Sequence, residues 1–226
     1  MTRIFILSIL TLSILFSNIF ADEVDIEELT ELCKQNNAEI CKVLGDVYLY
    51  SQEKDLKKAF HYYHKACNLG LATGCYQVGI LYLSKDKHKK SFDYLLRACH
   101  MGFGLGCNSV GVFYAKGIGR KKNLYKAKVF YKKACNLNAG KGCSNLGVMY
   151  ITGKAGEKDE AKAEKLFIKA CNLNDKEGCY NLGVLYYNKY TKTKDSNYWR
   201  KALPIFSKSC KLGFKKACSI KYRAKK

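Results

Sequence analysis

The sequence predicts an all-α protein, a solenoid of helix hairpins stapled by disulfides, and three observations predict it. Six frames of the form C-x7-C account for all 12 cysteines: Cys33 and Cys41, Cys67 and Cys75, Cys99 and Cys107, Cys135 and Cys143, Cys171 and Cys179, Cys210 and Cys218. Measured between first cysteines, the frames recur every 32 to 39 residues, the period of a stack of two-element units. Each frame is flanked by apolar positions at helical spacing, and no alternating strand pattern competes with them.

Taken in order, the chain opens with Arg3 and an apolar run from Ile4 to Phe20, ending on the small Ala21 before Asp22 and Glu23. That pattern is a secretory signal peptide over 1–21, with an uncleaved anchor as its rival because 17 largely apolar residues approach the spanning length. No later segment is apolar for long enough to cross a bilayer. Residues 22–226 are then a single solenoid, exported to the periplasm or secreted, in an oxidising space where evenly spaced cysteines pair. Pairing the first with the second cysteine of each frame is the one scheme that treats every copy alike. Closing each nine-residue loop constrains the unfolded chain by about 2.5 kcal/mol on the chain-entropy model.

After each second cysteine comes one helix signature, as in "CYQVGILY" and "CSNLGVMY", with Cys, Val/Leu, Gly and Tyr at 0, +3, +4 and +7 on one face. The glycines Gly45, Gly79, Gly111, Gly147 and Gly183 cost about 1 kcal/mol each relative to alanine in a helix. A neighbouring helix packed too close for a side chain would offset that. Before each first cysteine lies another helix, as in "YKAKVFYKKAC", with small residues at −8 and −1 and large apolar ones at −5 and −4. Pro204 is expected near the start of the last of these, where a missing N–H is tolerated.

The stretches "NLGVMYITGKAGEKDEAKAEKLFIKAC" and "SVGVFYAKGIGRKKNLYKAKVFYKKAC" resemble Sel1-like repeats, relatives of the tetratricopeptide class. With the cysteine staple and the leader, the chain is similar to the Helicobacter cysteine-rich family of secreted Sel1-like proteins, over about residues 24–226. The resemblance implies a right-handed superhelix. It departs from the pattern at both ends, where the units are atypical caps: the first lacks a typical leading helix and "CSIKYR" lacks the glycine. Residues 187–200 are read as an elongated loop.

Charge adds a second theme. The formal net charge is +21, and six acids (Asp22, Glu23, Asp25, Glu27, Glu28, Glu31) crowd the N-terminal end, so the body is more basic still. Position −9 is lysine in five units (Lys58, Lys90, Lys126, Lys162, Lys201), and −2 is basic in the same five (Lys65, Arg97, Lys133, Lys169, Lys208). These ladders are either a solvated ridge, the −2 set favourably placed near helix C-termini, or a docking stripe for an anionic surface. Nucleic acid is excluded for an exported chain.

Chemistry is sparse. Ser51 and Ser84 begin S-x-x-K matches in polar loops, without the S-D-N and K-T-G elements that accompany a β-lactam-opening serine. His61 and His64 are three apart on a helix but lack a third ligand, so no metal is expected, nor any cofactor. Position +2 reads Gln77, Ser109, Asn145 and Asn181, polar groups on an otherwise apolar helix. They either present amides to a ligand on the concave face or are satisfied within the repeat. The reading is therefore a monomeric binding module for a peptide, protein or cell-wall glycan. The resemblance implies an alternative, a penicillin-binding protein or weak β-lactamase, for which the sequence offers no nucleophile, base and oxyanion site.

Overall fold

The computed structural model describes residues 25–223, and side chains through residue 220. The signal-peptide segment lies outside the described residues. Among the described residues twelve helices follow one another: α1 (Ile26–Lys34), α2 (Ala38–Tyr50), α3 (Leu56–Asn68), α4 (Ala72–Leu83), α5 (His88–His100), α6 (Gly104–Lys116), α7 (Leu124–Asn136), α8 (Gly140–Thr152), α9 (Glu160–Asn172), α10 (Lys176–Thr193), α11 (Ser196–Lys211) and α12 (Lys215–Arg223). No strand occurs among the described residues. The helices pack as an antiparallel stack, each against its chain neighbours.

Two kinds of crossing alternate along this stack. Within a hairpin such as α8–α9, the +4 glycine lies against the large −4 residue of the next helix: Gly45 on Tyr63, Gly79 on Leu95, Gly111 on Tyr131, Gly147 on Phe167 and Gly183 on Phe206. A Cβ at Gly147 would fall 2.6 Å from the Phe167 ring, so the sequence inference of a helix too close for a side chain holds. The hairpin is closed further by its own lysine and tyrosine. Each −9 lysine stands over the +7 ring of the preceding helix, from 4.8 Å for Lys58 on Tyr48 to 6.0 Å for Lys201 on Tyr186. Lys90 on Tyr82, Lys126 on Tyr114 and Lys162 on Tyr150 fall between.

Between hairpins the chain turns through the cysteine frame. The third residue after each first cysteine is left-handed, glycine at 70, 102 and 213 and asparagine at 36, 138 and 174. These are the residues that tolerate this conformation after a helix end. The turn brings the last turn of one helix beside the first turn of the next, and all six expected disulfides are present. Cys33 is bonded to Cys41, Cys67 to Cys75, Cys99 to Cys107, Cys135 to Cys143, Cys171 to Cys179 and Cys210 to Cys218, at Cα separations of 4.4–4.9 Å. The sulfurs from Cys33 through Cys179 belong to buried residues, whereas Cys210 and Cys218, at the C-terminal cap, are half-buried. Alanine at −1 of the first cysteine meets glycine just before the second, as in Ala98 and Gly106, so the crossing is close as well as covalent.

The leading helix of the first unit, α1, is short, 9 residues against 13 in α3, and is capped by the Asp25 carboxylate on the Glu27 and Glu28 amides. Two local expectations are corrected. Residues 187–200 are not a loop: α10 runs to Thr193, Lys194 and Asp195 turn the chain, and α11 starts at Ser196. Consequently Pro204 sits in the interior of α11, where it is exposed to solvent, and not near its start. Asp195 is the physical reason, because its carboxylate accepts from Asn197 N–H at 2.8 Å and begins the helix early.

Candidate functional site

The first helices of successive hairpins touch one another: α6 packs on α8, and α8 on α10. They form the inner side of the stack. Between α8 and α10 this side opens into a cleft of about 360 Å3, within the range of ligand pockets. Asn181, Val184, Asn188 and Lys192 approach it from α10 at 0, +3, +7 and +11, one helical face. Val148 of α8 is 38% exposed there, and Phe167 and Leu185 are buried behind it. Lys158 stands at the rim.

A cluster of ion pairs fixes one wall. Lys189 Nζ lies 2.6 Å from Glu164 Oε2 and 3.7 Å from Glu160 Oε1. Burial pushes the Glu164 carboxyl up, but hydrogen bonds from Lys189 and Tyr186 outweigh it and leave the group below the usual carboxylate range. The bond to Glu164 holds the Lys189 ammonium above its ordinary value. Burial, and then Glu164, push the Tyr186 phenol up to about 12. Lys189 is thus a structural member of the wall. Lys158 and Lys192 make no ion pair among the described residues, so the mouth of the cleft keeps its positive charge.

The four polar +2 residues are all half-buried. Asn145 Nδ2 donates to Asn108 Oδ1 at 2.8 Å and Asn181 Nδ2 to Ser144 Oγ at 3.3 Å, each reaching back one repeat. Gln77 sits beside the Tyr63 hydroxyl, which donates to Asp46 Oδ1 at 2.7 Å. Ser109 occupies the same position on α6. Asn181 alone of the four lines the cleft. The remaining cleft residues were not singled out by sequence reasoning, although a signal was there. Position +5 is aliphatic in four units (Ile80, Val112, Val148, Val184), beyond what the Val/Leu and Gly stripe needs for packing.

The other candidates find structural roles. Arg97 Nη2 donates to the Cys67 carbonyl at 3.0 Å and Lys208 Nζ to the Cys171 carbonyl at 2.8 Å, so these −2 cations reach the helix end of the preceding unit. His64 lies between Asn68 and Tyr94, at 3.3 Å from Nδ1 and 3.0 Å from Nε2, and stacks on Phe60. Among the described residues no three potential ligands gather for a metal ion. Ser51 and Ser84 are exposed at helix ends and donate to the carbonyls of Glu53 and Leu81, at 3.0 and 2.9 Å.

A helical-hairpin solenoid with a mixed apolar and cationic inner cleft belongs to the class of repeat proteins that mediate protein–protein interaction. The model of the Sel1 repeat matches residues 41–71, 68–103, 104–138, 140–175 and 176–189, and the chain belongs to the Sel1 repeat family. The first four matches coincide with glycine-packed hairpins and the last covers part of α10, so disulfides such as Cys67–Cys75 join consecutive repeats. Among solved structures, the chain is similar to a Sel1 repeat protein from Oxalobacter formigenes, at 21% identity over 83% of this chain and 76% of that one, with a TM-score of 0.69. A protective antigen of uropathogenic Escherichia coli with an SLR fold has 22% identity over 85% of this chain and a TM-score of 0.68. This chain spans 42% of that antigen's length. Helicobacter pylori cysteine rich protein B is 41% identical over 58% of this chain and 97% of its own, with a TM-score of 0.47. No curated protein matches the sequence.

Proposed function

We propose that the protein is an exported recognition module that holds a peptide segment of a partner protein in the inner cleft between α8 and α10. The carrying observation is the composition of that cleft: an aliphatic surface at the exposed Val148 and the half-buried Val184, two amides seven residues apart at Asn181 and Asn188, and the unpaired cations Lys158 and Lys192 at its mouth. Aliphatic surface rewards burial of an apolar side chain, and the amides offer both donors and acceptors to an extended backbone. The cations favour a neighbouring carboxylate in the ligand. Export to the periplasm or beyond is supported by six disulfides with no free cysteine among the described residues, a pattern that persists in oxidising compartments. The leader over 1–21 would direct it there.

An array of decapeptides varied in charge and aliphatic content tests the reading. Peptides with an acidic residue beside a branched aliphatic one should be captured, and Val148→Asp or Lys192→Glu should weaken capture about tenfold or more, a loss of at least ~1.4 kcal/mol. Capture indifferent to both substitutions would place recognition elsewhere. Opening of a β-lactam is separated by mass: the oxidised protein should show no adduct after incubation with a penicillin.

A further inference from the structure

The edge of the solenoid where α5 and α7 begin differs in charge from the same edge in the flanking repeats. In most hairpins the second helix is capped by a carboxylate: Asp55 for α3, Asp159 for α9 and Asp195 for α11. At α9 that carboxylate also neutralises the −9 lysine, with Asp159 Oδ2 at 2.8 Å from Lys162 Nζ. In the two central repeats the cap is Lys87 for α5 and the neutral Asn123 for α7. Residues 116–126 contain no acid, and residues 84–92 contain only Asp86.

The cations that remain converge. Arg120, Lys121, Lys122 and Lys126 line one cleft of about 420 Å3 with Tyr114 and Asn123. Arg120 and Lys126 stand 5.2 and 5.4 Å from the centroid of the Tyr114 ring. The loop that carries them is held in place. Gly117 ends α6 with a left-handed φ of 75°, and Asn123 N–H donates to the Tyr114 carbonyl at 2.9 Å. The same loop rests on the start of α5, since a Cβ at Gly119 would lie 2.7 Å from that of His88. Lys85, Lys87, Lys89 and Lys90 therefore share this edge with the cleft, as do the positive ends of two helices. His88 Nδ1 and Arg120 Nε, buried at this contact, have no hydrogen-bond partner, and neither has Ser91 Oγ of the same helix as His88, which is fully buried. Tyr125, 71% exposed, stands beside Lys126.

We infer that this edge binds a linear polysaccharide bearing sulfate or phosphate groups. Lysine ammoniums, an arginine fork and helix N-termini suit tetrahedral oxyanions. The two cation groups lie on adjacent repeats and meet where Gly119 rests on His88, so the pattern is a line followed by a chain molecule. The exposed Tyr125 ring offers a flat apolar face to a sugar, and one ring is too little apolar area to seat the protein on a membrane. This edge is separate from the inner cleft and does not depend on it.

Binding of a heparin hexasaccharide, measured by calorimetry at two or more salt concentrations, tests the inference. The wild-type protein should bind with an affinity that falls steeply with salt. The double variant Lys121→Glu/Lys122→Glu, at exposed positions, should bind at least about tenfold more weakly. Lys154→Glu/Lys165→Glu, with the same charge change in the next repeat, should bind nearly as well as wild type. Equal losses in the two variants would mean only a diffuse effect of net charge and would overturn the site. Retention in the first variant would overturn it as well. Capture of anionic phospholipid vesicles or of a hexaglutamate peptide at affinities matching heparin would overturn the assignment of the ligand.

Discussion

The crossing inside a hairpin and the crossing between hairpins solve the same packing problem by different means. At α8–α9 a glycine meets a phenylalanine ring, and a lysine lies over a tyrosine: the contact rests on shape. At α7–α8 alanine and glycine bring the backbones together, and Cys135–Cys143 locks them. The difference teaches where a small repeat protein needs covalent help. A hairpin folds on local contacts, whereas the junction must fix one hairpin against the next, and a solenoid is only as stable as its nearest-neighbour interfaces.

The largest way to break this comparison is to remove the staples. Full reduction abolishes six loop constraints worth about 15 kcal/mol together as an upper bound, comparable to the whole stability of a domain. Circular dichroism should show loss of cooperative unfolding in reductant. A single junction is more informative. Cys135→Ala/Cys143→Ala should cost about 2.5 kcal/mol in urea unfolding. Hydrogen exchange should quicken at the ends of α7 and α8 while the Gly147–Phe167 crossing keeps its protection; equal loosening of both crossings would erase the distinction.

The shape-dependent crossing should fail to a smaller insult. Gly147→Ala adds one methyl group, which helix propensity favours by about 1 kcal/mol. The Phe167 ring 2.6 Å from that methyl makes overpacking the larger effect, and a net loss of about 1–2 kcal/mol is expected. A stabilised variant would show that the ring yields and that the glycine is not a packing requirement. A milder change sharpens the junction. Arg97→Met removes the donor to the Cys67 carbonyl, which belongs to the preceding hairpin, and should cost about 0.5–1.5 kcal/mol, still detectable by denaturant titration.

Much of this was legible because the chain repeats itself. The cysteine pairing, from Cys33 with Cys41 at one end to Cys210 with Cys218 at the other, followed from six equivalent frames. The close approach at glycine followed from its cost inside a helix, which a neighbour packed too close for a side chain offsets, but that the neighbour is the large −4 residue did not. What the copies do not share was not legible. The extra turns of α10 and α11 lie in a polar segment, 187–200, with no apolar period to mark it as helix, and Pro204 was misplaced for the same reason. The start of α1 rests on one capping aspartate. The lysine ladder at −9 was visible as a ladder, but its partner was not, since pairing −9 with the +7 tyrosine of the preceding helix requires knowing which helices form a hairpin. The inner cleft depends on how far Val148 is left exposed, a property of curvature that no single repeat encodes.

The smallest expected effect concerns one buried acid at the junction that Cys171 and Cys179 close. Asp175 is 8% exposed, follows the Cys171 turn and caps α10 by accepting from Gly178 N–H at 2.7 Å. Burial raises its carboxyl above the usual range, and the Gly178 bond does not fully compensate. The folded state therefore holds the proton more tightly than the unfolded chain. The favourable contribution is present below the unfolded carboxylate value and is lost as the pH rises through the raised folded one. Asp159 and Glu164, both lowered, act in the opposite sense and lose their contribution on acidification. Asp175→Asn keeps a capping oxygen and removes the buried charge. Its melting temperature should exceed that of wild type at neutral pH, and the difference should shrink in acid, where Asp175 is itself neutral. A variant less stable than wild type at neutral pH would mean that the charged cap helps this junction more than its burial harms it.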